Sequence, residues 1–387
     1  MKVRTLNVDS ETLSTQKRVK VSSKQQHSPG KALQVGKLRT ETSETVSPLA
    51  RGFAEIYAKA NSAALENTRK GWSGLANRLQ RQSKRALDDE IVVPFIEYDD
   101  TAALQLPHAK EIVKLQANYG DIISAPLMTP LVRAADDGDG LGTSHVSAII
   151  ENTRVFLKAV NQLQIGKPVM GVIPPISAEC TERLVELYFE SDLRAYCVDF
   201  NRRSPMAQSQ IDNIVNPLMQ ALNNYNIRER SLTYAVNPKE RRPIMNGRYR
   251  PAEMYAYTLG FDVVGDNHIG VNMPEEVIEA LDPKTELRLF DADTVSVVDV
   301  PLSGLDSFLP DEAEIPVDRV RRRMAKNPNE GYRFEKLINA ELISLYLEAE
   351  GGVNVQEIYQ ELLDGEYTQE SDLNRVQELV SDVMDDS

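Results

Sequence analysis

The sequence contains few cysteines and no long apolar run. Its 387 residues include two cysteines, Cys180 and Cys197, too few for a disulfide framework or a four-thiolate zinc site. We therefore expect two reduced thiols in different elements. No run of about 18 apolar residues is present, so no spanning helix is expected. The first residues also lack the apolar stretch of a secretory signal, which favours a cytoplasmic location.

Positive charge is also scarce. The net charge is −14 at pH 7, which excludes a generally basic surface, so contact with a polyanion requires local basic patches. Hydrophobic residues make up 41% of the chain, enough for a sizeable core. The length suits one large barrel with an appendage, or two ordinary domains.

Short apolar runs alternate with helix-like stretches through the middle of the chain. The runs are Ile91–Tyr98, Asp121–Ala125, Pro168–Ile173, Arg194–Phe200, Ser231–Val236 and Phe261–Val264. The helical patterns between them are Ala109–Asn118, Val146–Leu163, Ala178–Glu190 and Ile211–Tyr225. This alternation predicts an α/β fold with a parallel sheet buried on both faces. The number of units favours a TIM (β/α)8 barrel over a doubly wound sheet, which is the structural alternative.

The two ends of the chain have other patterns. Residues 1–30 are polar, which predicts a flexible arm, or weak β structure that becomes ordered on the barrel. Residues 49–87 have helical spacing. Glu286–Phe290 and Thr294–Val300 predict a hairpin, and the chain is strongly helical from Arg333 onward.

These patterns suggest three parts. They are a flexible N-terminal arm at 1–30, a TIM-barrel domain at 31–310 and a small helical C-terminal subdomain at 311–387.

Polar residues cluster where the predicted strands end, which is where TIM barrels carry their active sites. The candidates are Asp99, Asp100, Asp199, Asn201, Arg202, Arg203, Asn237, Gly265, Asp266 and His268. Two carboxylates across a small pocket can cleave a glycosidic bond, one attacking the anomeric carbon and the other managing the leaving-group proton. For any single residue, a helix cap or turn is the alternative interpretation. That alternative weakens for Asp266, because Gly265 permits close backbone approach and His268 follows closely.

Other motifs point away from metal and cofactor chemistry. The acidic loop Asp136–Gly140 lacks the ligand spacing of an EF-hand and is better interpreted as a flexible lid. The four histidines show no ligand spacing. No phosphate-cradling loop, nucleophilic serine elbow or nicotinamide fingerprint is present. We therefore predict no metal and no cofactor.

Several segments carry a family pattern in the same order along the chain. They are Lys31–Val46 (KALQVGKLRTETSETV), Ala109–Ile122 (AKEIVKLQANYGDI), Pro243–Asp262 (PIMNGRYRPAEMYAYTLGFD), Arg288–Leu302, Tyr332–Glu341 (YRFEKLINAE) and Gly365–Tyr367. Together they resemble the tRNA-guanine transglycosylase superfamily. The resemblance implies a TIM barrel that exchanges guanine in a nucleic acid for a 7-deazaguanine base.

In such a mechanism one aspartate attacks C1′ of the nucleotide and a second handles protons on the bases. By its position after the last predicted strand, Asp266 is the candidate nucleophile, offset by one residue from an ungapped match. Asp99, and next Asp100, are the candidates for the second role. Asp199 is a candidate for recognising a guanine edge, since a carboxylate accepts two N–H donors.

The sequence departs from the family at several positions. Leu127 stands where the family has a base-binding aspartate, and Pro174-Pro175-Ile176 replaces its Gln-Gly-Gly. The cysteines of the family's zinc site are missing from Leu305–Leu337. The resemblance is therefore to a divergent member without zinc, whose C-terminal part a hydrophobic mini-core or a partner must hold.

The leading hypothesis is a base-exchange transglycosylase whose partners are DNA or tRNA and a 7-deazaguanine base, as a homodimer or an accessory protein. Local basic residues would contact phosphates, with structural ion pairs as the alternative. These residues are Arg202, Arg203, Arg241, Arg242, Arg248, Arg250 and Arg321–Arg323. A non-catalytic barrel that binds nucleic acid or a partner is the second hypothesis. A glycosidase or lyase using the same carboxylates is the third.

Overall fold

The computed structural model describes residues 1–38, 46–136, 142–240, 242–268, 284–348 and 355–385. Within these ranges the protein is a mixed α/β fold with parallel strands and many helices. None of the described helices combines the length and the apolar character that crossing a membrane requires.

Parallel strands form the centre of the fold. They are β4 (Gly30–Lys31), β5 (Leu33–Gln34), β6 (Phe53–Ala60), β7 (Ile91–Tyr98), β8 (Ile123–Ser124), β9 (Val169–Ile173), β10 (Ala195–Asp199), β11 (Leu232–Val236) and β12 (Val263–Val264). One sheet has the order β4-β12-β11-β10-β9-β8 and another has the order β5-β6-β7. Each of the six strands predicted from the sequence contains one of these strands.

Backbone pairing connects the two parallel sheets at two places, through their edge strands. Ala32 alone separates β4 from β5, so one short segment pairs with β12 on one side and with β6 on the other. A parallel bridge between Glu97 and Leu127 connects β7 to the residues just after β8. The backbone N–H of Tyr98 donates to the Leu127 carbonyl at 2.8 Å.

Helices cover the outer face of the strands. They are α1 (Ser62–Arg69), α2 (Gly74–Ser83), α3 (Leu106–Tyr119), α4 (Thr129–Asp136), α5 (Gly142–Leu163), α6 (Ala178–Glu190), α7 (Asn216–Asn224) and α8 (Ala252–Thr258). A π-helical segment, Ile211–Val215, precedes α7. Every residue of β7 is buried, as expected for a parallel strand with both faces covered.

The C-terminal region begins with the predicted hairpin and continues as helices. Its elements are β13 (Glu286–Asp291), β14 (Ser296–Pro301), α9 (Leu305–Phe308), α10 (Val317–Lys326), α11 (Gly331–Glu348), α12 (Val355–Asp364) and α13 (Glu370–Asp385). α11 buries Phe334, Leu337 and Ile338 and packs against β13, while α13 packs against α7. The division at residue 311 stays a prediction.

Two expectations differ from the structure. Residues 53–60 form β6 and not a helix, because Phe53, Ile56 and Ala60 give helical spacing to a segment that pairing with β7 holds extended. For residues 1–30 the structure shows the second of the two expectations, β structure, and not the flexible arm. They form an antiparallel sheet of β1 (Lys2–Val8), β2 (Thr15–Val21) and β3 (Lys24–Ser28).

A buried ion pair fixes this N-terminal sheet to the parallel strands. Lys17 Nζ lies 2.9 Å from Asp262 Oδ2, and both side chains are almost fully buried, with exposures of 1% and 0%. Lys17 also donates to the carbonyls of Arg228 and Ser231 at 3.1 and 2.9 Å. These contacts lie where β11 and β12 begin. The polar sequence of the segment hides this role, because its buried residues alternate with exposed ones.

Both cysteines are free thiols, Cys180 on α6 and Cys197 on β10, as predicted. The predicted lid falls mostly outside the described residues, which stop at the end of α4 and resume at the start of α5.

Candidate active site

The carboxyl ends of β10, β11 and β12 bring together four of the predicted site residues, Asp199, Asn237, Asp266 and His268. Asn237, just after β11, is the residue that connects them. Its Nδ2 donates to Asp199 Oδ1 at 2.7 Å, and its Oδ1 accepts from the His268 backbone N–H at 2.7 Å. Its own backbone N–H donates to the Asp266 carbonyl at 3.2 Å. Asn237 has a φ of 57°, a left-handed conformation that asparagine tolerates better than most residues.

A buried glutamate that the sequence analysis missed lies beneath these residues. Glu55, in the middle of β6, is fully buried. It accepts from Tyr234 Oη at 2.6 Å and from the Asp266 backbone N–H at 2.9 Å. The signal was a glutamate inside an apolar run, which is rare without a polar partner, but the run was interpreted as a helix.

Gly265 is required by this glutamate. A Cβ at that position would lie 2.0 Å from Glu55 Oε1, so any side chain would displace the carboxylate. The close backbone approach expected at Gly265 is therefore an approach to Glu55.

His268 is held on three sides. Its Nε2 lies 2.9 Å from Glu55 Oε2, and its ring stacks on Tyr57 with centroids 4.8 Å apart. Its Nδ1 lies 2.9 Å from Gln34 Nε2. Because Gln34 Oε1 accepts from Lys336 Nζ at 3.3 Å, the Gln34 amide turns its N–H toward the ring. These contacts place an amide on one side of the ring and the Glu55 carboxylate on the other.

These contacts on both ring nitrogens give His268 a positioning role within the protein. Both ring nitrogens face side chains of the chain itself, and the residue is buried. Its predicted contact with substrate stays a prediction.

Asp266 is an ionised carboxylate with limited access to solvent. Its side chain is 13% exposed, and Lys336 Nζ lies 3.3 Å from its Oδ1. Burial alone would raise the pKa of Asp266, but the charges of Lys336 and Lys31 outweigh it and hold the pKa below its usual range. Asp266 therefore combines negative charge with access, which a nucleophilic carboxylate needs.

Asp199, at the end of β10, has the opposite electrostatics. Complete burial raises its pKa to about 6, although the hydrogen bond from Asn237 and the N–H of Asn201 at 2.9 Å both act to lower it. Both donors bind Oδ1, and Oδ2 is buried without a hydrogen bond to any described residue. Asp199 can therefore exchange a proton close to neutral pH.

Asp99 lies just after β7, which belongs to the other parallel sheet. Its side chain is 43% exposed, and its Oδ1 lies 3.7 Å from Lys59 Nζ. Lys59 Nζ also lies 3.2 Å from Glu97 Oε1, and Tyr57 Oη donates to Glu97 Oε2. Burial and the adjacent Glu97 raise the pKa of Tyr57, which stays protonated. Across the described residues, no direct contact joins Asp99 to Asp266.

Asp100 has a local structural role. Its Oδ1 accepts from the Ala102 N–H at 3.0 Å, and its Oδ2 accepts from Ser62 Oγ at 2.8 Å. The Ala102 N–H is the main cause that lowers the pKa of Asp100. These contacts favour the turn interpretation that was considered for every strand-end residue.

A cleft beside Asp199 gathers positive charge. This basic cleft has a volume of about 590 Å³. Its cationic lining residues are Arg133, Arg202, Arg203, Lys239, Arg242 and Arg250. Glu240 is the carboxylate in its wall, and Asn201 connects the wall to Asp199.

The basic residues named from the sequence separate into two groups. Arg202, Arg203, Arg242 and Arg250 line the basic cleft, while Arg248 instead binds Asp291 on β13. Arg321–Arg323 lie on α10, and Arg241 is outside the described residues. Arg133 and Lys239 also line the cleft, and the sequence analysis did not single them out as phosphate contacts.

No group of three or more histidine, cysteine, aspartate or glutamate side chains is arranged to hold a metal ion in the part of the chain that the structure describes.

Comparisons with known proteins give distant structural neighbours. No protein-family model matches the chain, and no curated protein matches it. The carboxyl transferase domain of Rhizobium etli pyruvate carboxylase with pyruvate is similar at a TM-score of 0.39 and 11% identity, over 80% of this chain and 48% of that one. The same domain with pyruvate and biocytin has a TM-score of 0.37 at 11% identity, over the same shares of the two chains. The chain thus spans about half the length of these neighbours, and likeness at this level indicates no activity.

Proposed function

We propose that this protein is a TIM-barrel glycosyltransferase that exchanges a guanine base in a nucleic acid, DNA or tRNA, for a 7-deazaguanine, with Asp266 as the nucleophile. The observation that carries the proposal is the pairing of two carboxylates at one sheet edge with opposite pKa changes. Asp266 is held ionised and partly exposed, while Asp199 is buried with its pKa raised to about 6. Such divergence is typical of a pair that divides nucleophilic and proton-handling roles.

A closed eight-stranded barrel is part of the proposal. If β4 and β5 count as one strand, the pairings run in chain order from β4/β5 through β6 to β12 and return to β4. All of them are parallel, and helices follow most of the strands. In such a barrel the carboxyl ends of the strands form a mouth, and Asp199 and Asp266 would face it.

The proposed reaction has two displacements. A carboxylate oxygen of Asp266 attacks C1′ of the target nucleotide, and the C1′–N9 bond breaks with its electron pair leaving on the base. The departing guanine takes a proton, and the ester formed between Asp266 and C1′ keeps the strand attached. The incoming 7-deazaguanine then loses a proton as its ring nitrogen attacks C1′, and the Asp266 carboxylate leaves. No oxidant or metal is required by this balance.

Asp199 and Asp99 are the candidates for moving these protons. Asp199 has a buried Oδ2 without a hydrogen bond to a described residue, and a carboxylate oxygen of this kind can take up a proton. Its pKa of about 6 also suits proton transfer near neutral pH. Asp99 is more exposed and lies beside Lys59, which keeps it as the second candidate.

The test is incorporation of a labelled 7-deazaguanine base into nucleic acid. We expect Asp266→Asn and Asp266→Ala to lose about a thousandfold or more in rate, since they remove the nucleophile. Asp99→Asn and Asp199→Asn should each reduce the rate less severely. Asp212→Asn, a carboxylate on the π-helical segment, is the matched control. Unchanged incorporation in both Asp266 variants would refute the proposal.

A non-catalytic nucleic-acid-binding protein is the second candidate. The observation that favours it is that Asp266 Oδ1 is already engaged, by Lys336 at 3.3 Å and by the Asn267 N–H at 2.7 Å. A covalent protein–nucleic acid adduct that survives denaturation and disappears in Asp266→Asn would separate the candidates. Its absence together with intact binding would favour the second.

A further inference from the structure

The basic cleft is an exception to the charge of the chain. The protein carries a net charge of −14, yet the cleft has six cationic side chains against the one carboxylate of Glu240. Arg250 is largely neutralised, because its Nε lies 2.5 Å from the buried carboxylate of Asp372. Counted over its lining residues, the cleft has more cationic than anionic side chains even without Arg250, and such a surface attracts anions.

The basic cleft adjoins the candidate active site, because the loops after β10 and β11 carry residues of both. The Asn201 N–H binds Asp199, and the Arg202 N–H donates to the Asn237 carbonyl at 2.9 Å. The Lys239 N–H donates to the Arg203 carbonyl at 3.1 Å. These backbone hydrogen bonds hold the loops after β10 and β11 together. The backbone that carries the cationic side chains is therefore held in place next to Asp199.

The backbone at the start of the cleft adopts an uncommon conformation. Asn201 and Arg202 have φ values of 44° and 64°, in the left-handed region that residues with a Cβ seldom occupy. Two consecutive residues of this kind turn the chain sharply after β10. Arg202 and Arg203 thereby line the cleft beside the mouth.

From this arrangement we propose that the basic cleft binds the phosphodiester backbone of a single strand next to the nucleotide whose base enters the site at Asp199 and Asp266. The proposal rests on the proposed function for the identity of that neighbouring site. A base can reach a site among strand ends only when it leaves its stack. Cationic side chains that track the backbone beside such a base are a common way to hold a single strand.

Arg133 and Arg242 are the best residues for a test. Both are exposed side chains in the cleft wall, so their replacement should leave the fold intact. Neither belongs to the network of Asp199, Asn237 and Asp266. Arg154 and Arg230 provide a matched pair of exposed arginines elsewhere, on α5 and just before β11.

The experiment measures the binding of fluorescein-labelled single-stranded DNA, single-stranded RNA and duplex DNA by anisotropy at several salt concentrations. We expect Arg133→Gln/Arg242→Gln to weaken single-strand binding by roughly tenfold or more. The slope of log K against log salt should also shrink by about 1.4, since each lost phosphate contact on a single strand contributes about 0.7. Arg154→Gln/Arg230→Gln should bind like the unchanged protein. The DNA and RNA arms distinguish the source of the phosphodiester.

Two results would overturn the inference. One is an equal loss of affinity in the cleft and control variants, and the other is a preference for duplex over single strands. Asp266→Asn separates this inference from the proposed function, since it should bind the single strand normally while it fails to exchange the base. Normal binding by the cleft variant in a protein that does exchange the base would defeat the cleft proposal alone.

Discussion

The two ends of β12 carry an aspartate each, and the two have different surroundings. Asp262, just before the strand, is fully buried and accepts from Lys17, from both the N–H and the hydroxyl of Thr233, and from Thr15. Asp266, two residues after the strand, is partly exposed and is bound by Lys336 and its neighbour's N–H. Both pair with a lysine that is distant in sequence.

The difference separates a structural carboxylate from a candidate reactive one. Around Asp262, four donors lie within 3.0 Å, and the hydrogen-bonding capacity of the carboxylate is filled, which is the condition under which a buried ion pair is stable. Around Asp266 the lysine is farther away and part of the carboxylate can still meet another molecule. We therefore expect a change at the fully hydrogen-bonded Asp262 to affect stability, and a change at Asp266 to affect activity.

The largest expected effect is on the saturated pair. Lys17→Met should lower the free energy of unfolding by about 3–5 kcal/mol, because Asp262 would remain as a buried charge without its partner. The N-terminal sheet should also lose its attachment. Urea denaturation monitored by circular dichroism would measure the loss.

Asp266→Asn is the comparison variant for that measurement. It should change the free energy of unfolding by about 1 kcal/mol or less, while it abolishes base exchange. Equal destabilisation by both variants would remove the distinction between the two ends of the strand.

An intermediate effect is expected from Asp199→Asn. With the folded pKa raised to about 6 from an ordinary value near 3.8, the native protein holds a proton that the unfolded chain releases in that pH range. Stability contributed by this group is complete below pH 4 and declines as the pH rises to about 6. An asparagine at this position does not ionise, so the stability of the variant does not decline over this pH range. Its side-chain oxygen can still accept from Asn201 and Asn237.

The variant should therefore be more stable than the unchanged protein at pH 7, by up to about 3 kcal/mol, since one pKa unit corresponds to about 1.4 kcal/mol. The two should converge near pH 4. Thermal unfolding at a series of pH values would measure this. A constant difference across the series would show that Asp199 does not titrate as described.

The smallest effect is expected from Lys336→Met. Loss of this charge should raise the pKa of Asp266, so the acid limb of kcat/KM should move to higher pH. Lys336→Arg should keep the limb near its original position, since it keeps the charge. A uniform loss of rate without movement of the limb would indicate that Lys336 acts on structure alone.

The sequence predicted the strands best where they are long or uniformly apolar. β7 was predicted with its observed bounds, and β9, β10 and β11 within a residue or two at each end. In these strands the apolar run and the buried segment coincide, because both faces are covered. The short β4 and β5 have no such signal, and pairing with β6 and β12 defines them.

The candidate site was predicted in part for the same reason. Asp199, Asn237, Asp266 and His268 follow apolar runs, so their common location could be inferred from strand polarity. Glu55 could not, because it lies inside a strand in which Phe53, Ile56 and Ala60 have helical spacing. Lys336 could not either, because contact between a C-terminal helix and the strand ends is a matter of tertiary packing that no local pattern encodes.

The position of Lys336 has a consequence for biosynthesis. Its ammonium group contacts Gln34, near the start of the chain, and Asp266, near the end of the parallel strands. Because Lys336 lies on α11, which follows β12 in the sequence, the described parallel strands β4 to β12 are all translated before the charge that accompanies Asp266. The candidate site therefore cannot be complete until a helix outside the parallel sheets has been synthesised.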